Sequence, residues 1–474
     1  MKQKIQRSAS ALVLATASLM SVDAAAGLSN EQLLDVLLQN GAINHAQYKK
    51  LSKLAKEDSQ VAKKAIENEV RVSLKGGHLK IKSTDGDFSM GIGGRMMVDT
   101  GWFSGNSNNI AGSNYQNGSE LHRFRIHMKG KVFHDFKYQF AYDFGGKGTI
   151  KDAWIAYTGL EKMFDLPVPM IITVGNDKEP LGLEYINSSK YLTFMERGLT
   201  QSLVPERAIG ISLKSHGELG EEGVWTFWGG WYGNDVNKDN RNIGKGGDKA
   251  LGSQAFAGRI TLAPIVTKTE VLHFGASVEQ RYYSASNNSL SFKERAEQHR
   301  VSNFTGKPGF THVDNTTKFG LEASGVYGPF ALQGEYVRAH VVNANPGRQN
   351  ANFDAWYGFA SWFVTGESRR YKKHEGAFTR VKPARPLGKG GWGALEMAYR
   401  YSYLDLSANG AADFPNPTNA VQGGIRHNST IGLNWYPNST VKFMANYVWS
   451  HGTAKPTVVD TNYNAFQLRA QIDF

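Results

Sequence analysis

LHRFRIHMKGKVF, residues Leu121–Phe133, has a period of two: Arg123, Arg125, His127, Lys129 and Lys131 fall on alternate positions, with Phe124, Ile126, Met128 and Val132 between them. Successive side chains of a β-strand point to opposite faces, so this is a strand with one cationic and one apolar face. Two settings accommodate it. On a soluble sheet the apolar face covers a core and the cations meet water; in a membrane barrel the apolar face meets lipid and the cations line the lumen. A basic side chain facing lipid near the midplane costs roughly 2–4 kcal/mol, so in a membrane the cationic row must point inward. The strand by itself does not choose, and the choice falls to the rest of the chain.

The N-terminus points to export. Lys2, Lys4 and Arg7 precede a short apolar run from Ala9 to Met20, and Ala24-Ala25-Ala26 stands before Gly27. This is the pattern of a signal peptide (residues 1–26) removed near Ala26; a first helix of the fold is the alternative, and the run is short and Ser/Thr-rich for that. Its removal lowers the formal charge from +12 to about +10. For an exported chain with that surplus, small anions or anionic polymers are more plausible company than nucleic acid. There is no Cys, which excludes disulfides and thiolate metal sites. Beyond the N-terminal segment no run reaches the eighteen or so apolar residues of a membrane helix.

Residues 27–70 read as a small periplasmic helical segment and linker. Ser29 with Gln32, and Asn44 with Gln47, have capping-box spacing, Asn40-Gly41 ends a first helix, and a second is expected to about Ser59, with a polar linker over Gln60–Glu69. From residue 71 to 474 the chain is strand upon strand. Met90, Ile92, Met96, Val98 and Trp102 alternate with Arg95 and Asp99; Tyr138, Phe140 and Tyr142 alternate with Lys137, Gln139 and Asp143. Leu395, Met397, Tyr399, Tyr401 and Tyr403 alternate with Glu396, Arg400 and Ser402. About sixteen such segments follow one another, many roughly 9–12 residues long, the length of a tilted membrane-crossing strand.

Short turns at His134-Asp135 and Tyr436-Pro437-Asn438 alternate with long polar connections at Ser104–Ser119, Asn234–Gly252, Ser284–Asn315, Gly366–Gly391 and Asp405–Gly424. All five long connections are expected on the outer side of a barrel and the short turns in the periplasm. A soluble sandwich or β-solenoid also fits single strands of this kind. The last segment tips the balance: Phe466, Leu468, Ala470, Ile472 and Phe474 alternate with Gln467, Arg469, Gln471 and Asp473, and the chain stops on the aromatic. A last strand with no tail pairs with the first, and a closed barrel leaves no edge unsatisfied in lipid. The expectation is an all-β transmembrane antiparallel barrel in the bacterial outer membrane, in contact with lipid and lipopolysaccharide.

The stretch VGNDKEPLGLEYINSSKYLTFMERGLTQSLVPER, Val174–Arg207, resembles the phosphate-selective porin O and P family. The similarity rests on Gly175, Lys178, Pro180, Leu183, Glu184, Ser188, Ser189, Lys190, Phe194, Met195, Glu196, Arg197 and Arg207. It continues in Gly366-Glu367, Tyr371, Pro383, Gly393–Glu396, Arg400–Ser402 and Asn434–Pro437. The resemblance implies a third connection folded into the lumen, an anion path that includes Lys178, Ser188, Ser189, Lys190, Arg197 and Arg207, and, at lower specificity of spacing, Lys137 and Asp152. It also implies a homotrimer, and the terminal Phe474 resembles the signal read by the barrel-assembly machinery. Where the family has Glu-Leu-Arg-Arg-x-Arg, this chain has Glu120-Leu121-His122-Arg123-Phe124-Arg125, so a permanent cation gives way to one of pKa about 6.5.

The functional expectation is a porin, not an enzyme, that passively conducts phosphate or polyphosphate along a ladder of Arg95, Arg123, Arg125, Lys129 and Lys131. Inward residues about 6.7 Å apart lie within one Debye length of about 8 Å, so their potentials overlap. General anion diffusion without phosphate preference is the alternative, and an outer-membrane hydrolase using Ser188 or Ser189 is a remote one. The basic run Arg369-Arg370-Tyr371-Lys372-Lys373 is expected in a solvated outer loop that gathers anions at the mouth. The histidines show no metal-ligand spacing, so neither a metal nor a cofactor is expected.

Overall fold

The computed structural model describes residues 30–67, 70–75, 77–105, 117–146, 148–237, 253–283, 289–292, 297–300, 309–311, 313–343, 350–407, 422–454, 459–460 and 462–474. The expected signal peptide lies outside them. The chain divides into a small N-terminal unit and a large one.

In the small unit, helices α1 (Asn30–Gln39) and α2 (His45–Glu67) follow the sequence signals. Gly41, at φ +68°, ends α1 in a left-handed conformation that costs glycine nothing. Asn44 and Gln47 form a reciprocal capping box, each side chain accepting the other's backbone N–H at 2.9 Å. The expected linker over Gln60–Glu69 is corrected: α2 continues to Glu67. Its lysine- and glutamate-rich turns have high helix propensity and contain no breaker.

Among the described residues, the wall of the large unit is built of sixteen long antiparallel strands in chain order, with the short strand His78–Ser83 pairing beside the first of them. The sixteen are β1 (Ser89–Gly105), β2 (Gly118–Val132), β3 (Phe136–Asp143), β4 (Thr149–Tyr157), β5 (Met170–Lys178), β6 (Arg207–Leu219), β7 (Gly223–Tyr232) and β8 (Gln254–Val266). There follow β9 (Glu270–Tyr282), β10 (Val313–Tyr327), β11 (Phe330–Asn343), β12 (Ala351–Phe363), β13 (Ala394–Ser407), β14 (Gln422–Tyr436), β15 (Val441–Ala454) and β16 (Tyr463–Asp473). Each pairs with its neighbours, and β16 closes on β1 from Tyr463 opposite Gly105 to Asp473 opposite Arg95. One residue further, the Gly94 N–H donates to the Phe474 carbonyl at 2.6 Å and Phe474 returns the bond at 3.2 Å.

The faces are inverted relative to a soluble protein. Met96, Val98, Trp102, Ile126, Met128, Ile260, Leu262, Phe319, Leu321, Ile431 and Leu433 are exposed, whereas Arg95, Asp99, Arg400, Arg426 and Arg469 are buried. Such a wall is stable where lipid covers its outside and polar partners fill its inside.

The connection from 179 to 206 folds into the lumen. It carries a short helix, α4 (Leu183–Ile186), α3 being Leu160–Phe164 in the connection between β4 and β5. Leu181, Tyr185, Leu199 and Leu203 pack with Val337, Ala339, Phe353, Ala355 and Leu404 of β11–β13. Each buried leucine holds the connection to that wall by about 1.5–3 kcal/mol.

One connection departs from expectation. Residues 364–393 join β12 to β13, and strict alternation of up and down strands puts them at the end of the short turns, not with the long outer connections. Their contacts agree: the Leu387 N–H donates to the Pro437 carbonyl at 2.7 Å, and Arg380 bonds the Ser439 carbonyl of the turn between β14 and β15. The basic run is only partly solvated, with Arg370 and Lys372 exposed but other members turned into the protein. Arg369 is buried against the Phe378 ring, 4.0 Å away, and the Tyr371 hydroxyl lies 2.7 Å from His273 Nδ1. The segment reaches the inward 179–206 connection, where the Phe378 N–H donates to Asn187 Oδ1 at 2.8 Å.

Candidate functional site

With the 179–206 connection against β11–β13, the free part of the lumen is left along the opposite wall. A cavity of about 1710 Å³ lies there, and arginines and lysines outnumber carboxylates among its lining residues. They come from neighbouring strands: Arg95 from β1, Arg123 and Arg125 from β2, Lys137 from β3, Lys151 from β4, Arg207 and Lys214 from β6.

Two irregularities in the sheet enrich this wall. Met97 of β1 pairs with Arg123 but the next residue, Val98, pairs with Leu121, so His122 is an extra residue. Likewise Ala141 pairs with Asp152 while Tyr142 pairs with Ile150, leaving Lys151 extra. A bulge re-aims a side chain that alternation would send to the other face. Consecutive residues His122 and Arg123, and Lys151 and Asp152, therefore all line the cavity.

The cations are not equivalent. Arg125 donates to Asp143 at 2.8 Å, and Arg207 donates to Asp152 at 2.9 Å, which also accepts from Gln139 at 2.8 Å. Arg123 lies 3.6 Å from Glu196. Arg95 has hydroxyl company instead: its Nη1 donates to Ser189 Oγ at 2.5 Å and approaches Ser188 Oγ at 3.4 Å, while its Nε has no partner among the described residues. Yet Arg95 stands directly opposite Arg125 in the β1–β2 register. Like charges directly across a sheet are destabilising, and an anion between them reverses the sign.

Other expected members are present with different tasks. Lys178 Nζ donates to the carbonyls of Tyr185 and Ile186 at 2.7 and 2.8 Å, closing the C-terminus of α4. Arg197 donates to the Glu184 carbonyl at 2.8 Å. Both line the cavity but spend donors on holding the inward connection in shape. Lys190 lies 3.4 Å from Asp473; burial and the nearby Arg95 push its ammonium down to about 8. Lys129 and Lys131 lie toward the short-turn end of β2, where both are exposed, and neither lines this cavity.

Sequence reasoning missed four contributors. Asp143 and Lys214 sit on polar faces of their strands, and their partners Arg125 and Asp177 stand on the adjacent strands β2 and β5, a pairing that depends on strand register and not on spacing within one strand. Lys214 pairs with Asp177 at 2.8 Å and covers the Trp228 ring at 3.7 Å. Arg469, on the terminal strand, donates to Asp99 at 2.6 Å and to Glu196 at 2.8 Å, pinning the inward connection to β1. Burial pushes the Glu196 carboxyl up, but His122, Arg123 and Arg469 around it hold it well below the ordinary carboxylate range. Glu297, in the connection between β9 and β10, folds inward to pair with Arg400 at 2.7 Å. No periodic pattern marks it.

Among the described residues no histidine bonds the hydroxyl of Ser188 or Ser189. Ser188 caps the turn Ser189–Tyr191 and Ser189 holds Arg95, so neither has the neighbouring base that activates a nucleophile.

The sequence profile described as phosphate-selective porin O and P matches residues 90–474. An uncharacterized protein of Caulobacter vibrioides is 28% identical over 371 residues, covering 77% of this chain and 69% of its own. Porin O of Pseudomonas aeruginosa is 26% identical over 413 residues, covering 80% and 86%. Among solved structures, an anion-selective porin from Comamonas acidovorans aligns over 82% of this chain and 100% of its own at 11% identity, with a TM-score of 0.47.

Proposed function

The chain belongs to the phosphate-selective porin O and P family, and from that premise we propose that this outer-membrane porin conducts phosphate-class anions passively along Arg95, Arg123 and Arg125. The observation that carries the reading is the Arg95–Arg125 pair. Two guanidiniums stand opposite each other across β1 and β2, Asp143 neutralises one, and the other, among the described residues, has serine hydroxyls as side-chain partners and an Nε without one. A phosphate accepts from both the guanidinium fork and the hydroxyls, and it relieves the repulsion. Lys137, Lys151 and Arg207 continue the positive wall, and Asp143 and Asp152 beside them keep each well shallow enough for release.

His122 favours general anion diffusion as the second reading. Its Nδ1 lies 2.7 Å from Asp99, so the position contributes a neutralised pair and not a further cation. Single-channel recording in planar bilayers separates the two. Phosphate conduction requires a chloride current that is anion-selective and falls on adding millimolar phosphate; cation selectivity refutes both readings, and a current indifferent to phosphate leaves only the second.

The family relation also supports assembly as a homotrimer, recognition of Phe474 by the barrel-assembly machinery, and a mature chain of a periplasmic segment (27–70) and a porin domain (71–474) after removal of residues 1–26. The inward 364–393 segment then enters from the periplasmic end, and Lys372 and Lys373 stand at the exit, not the mouth.

A further inference from the structure

The same His122 that breaks the arginine pattern brings together a different set of donors. His299, from the connection between β9 and β10, folds over it: the two imidazole centroids are 4.0 Å apart. His299 Nδ1 is 2.9 Å from both carboxylate oxygens of Glu120. One donor atom each from Glu120, His122 and His299 lies within 4.8 Å of the other two, and the same holds for Asp99, His122 and Glu196.

We propose that Glu120, His122 and His299 bind a divalent transition-metal ion of the zinc class at the rim of the anion path. Two imidazoles and a carboxylate are the donor set that suits zinc, nickel or copper and not magnesium or calcium, which take oxygen ligands. Tetrahedral zinc with bonds of about 2.0–2.2 Å needs donors roughly 3.4 Å apart, so a set spread over up to 4.8 Å must tighten by up to about 1.4 Å. The exposed His299 supplies that freedom, being the one member on a connection and not on a strand.

A metal-binding histidine is oriented by a carboxylate on one ring nitrogen and binds through the other: Asp99 Oδ2 stands 2.7 Å from His122 Nδ1, the nitrogen that also lies 3.9 Å from Glu120, so the ion must be taken on Nε2, which is 3.5 Å from Glu196, with Glu120 and His299 moving toward it. Charge also permits it. Asp99, Glu120 and Glu196 stand around His122 with the guanidiniums of Arg123 and Arg469, and Arg300 donates to the Ser119 carbonyl beside Glu120, so this corner is close to neutral in a lumen that is otherwise positive. A bound ion fastens the 297–300 segment, whose Glu297, Gln298 and His299 border the cavity, to β2.

Equilibrium dialysis of the purified, detergent-solubilised porin against zinc, with bound metal measured by atomic absorption, tests this independently of any ion current. His299→Ala, at an exposed position that the barrel does not need in order to close, is expected to weaken the tightest zinc site by at least about tenfold. His216→Ala is expected to keep it, although His216 and His374 form another ring pair with centroids 4.2 Å apart. Excess magnesium leaves the bound zinc in place. Zinc held equally by the His299→Ala protein, lost from the His216→Ala protein instead, or displaced by magnesium overturns the proposal.

Discussion

Replacing Arg95 by glutamine removes one guanidinium from the centre of the cationic wall while keeping a hydrogen-bonding side chain beside Ser188 and Ser189. A unit anion about 4 Å from a guanidinium gains about 1 kcal/mol at the dielectric of water and about 4 kcal/mol at an effective dielectric of 20. Arg95 is buried in the wall but borders a cavity of about 1710 Å³ lined by charged side chains, so the lower half of that range is expected, about 1–2 kcal/mol, or a factor of roughly 5–30 in affinity. The concentration of phosphate that halves the chloride current in a planar bilayer is therefore expected to rise by that factor. The same variant loses a like-charge contact, since Arg95 faces Arg125 in register, and keeps or gains thermal stability. Destabilisation with unchanged phosphate block is the result that refutes the reasoning, because Arg95 would then be a structural arginine whose repulsion is compensated within the protein.

Four further outcomes follow from the same geometry. Arg123→Ala with Arg125→Ala weakens phosphate block more than Lys372→Gln with Lys373→Gln, because Lys372 already pairs with Glu375 and Lys373 donates to the Glu222 carbonyl; titration of the chloride current by phosphate compares them. Asp152→Asn frees Arg207 and deepens its well, so phosphate blocks about fivefold more tightly for a gain of about 1 kcal/mol while maximal chloride conductance falls, both read in the same bilayer assay. Lys190 is held near pKa 8 by burial and Arg95, so it loses its charge as pH rises through about 8; chloride selectivity measured from reversal potentials declines from pH 7 to 9, and Lys190→Gln abolishes that part of the decline. Gly94→Ala puts a Cβ 2.6 Å from the Arg125 carbonyl and 2.7 Å from the Phe474 ring at the barrel seam, and the overpacking costs about 1–3 kcal/mol, seen as a lower temperature for the heat-induced shift in gel mobility.

The barrel was legible because its signal is repeated in every strand: polar inside, apolar outside, closing on a terminal strand that ends in Phe474. Where a conclusion used length and not strand parity it failed. Residues 364–393 are long and basic like an outer loop, yet they follow the twelfth strand, and an even-numbered connection returns to the short-turn end. Site residues were legible as a row but not as roles. Lys178 and Arg197 are where the resemblance implies, but their donors go to backbone carbonyls, a fact set by the path of the 179–206 connection and invisible to spacing. Glu297 and His299 left no trace, since a single side chain folded inward from a connection has no period to betray it.

The bulges join these two levels. Strict alternation gives each strand one inward residue for every two, so neighbouring cations of one strand cannot come closer than about 6.7 Å. At His122 and at Lys151 the sheet admits an extra residue, and in each case an acid and a base then meet on the lumen side: His122 with Asp99, Lys151 beside Asp152. The extra residue raises the density of charge without raising its sum by the same amount. A conduit needs that combination, because an anion moves only if the next well is near and the present one is shallow. Arg95 on β1 lies beside this pair of bulged strands and, among the described residues, forms no ion pair of its own, so the deepest well on the wall is expected there, and an anion reaching it has the offset pairs of β2 and β4 as its onward route.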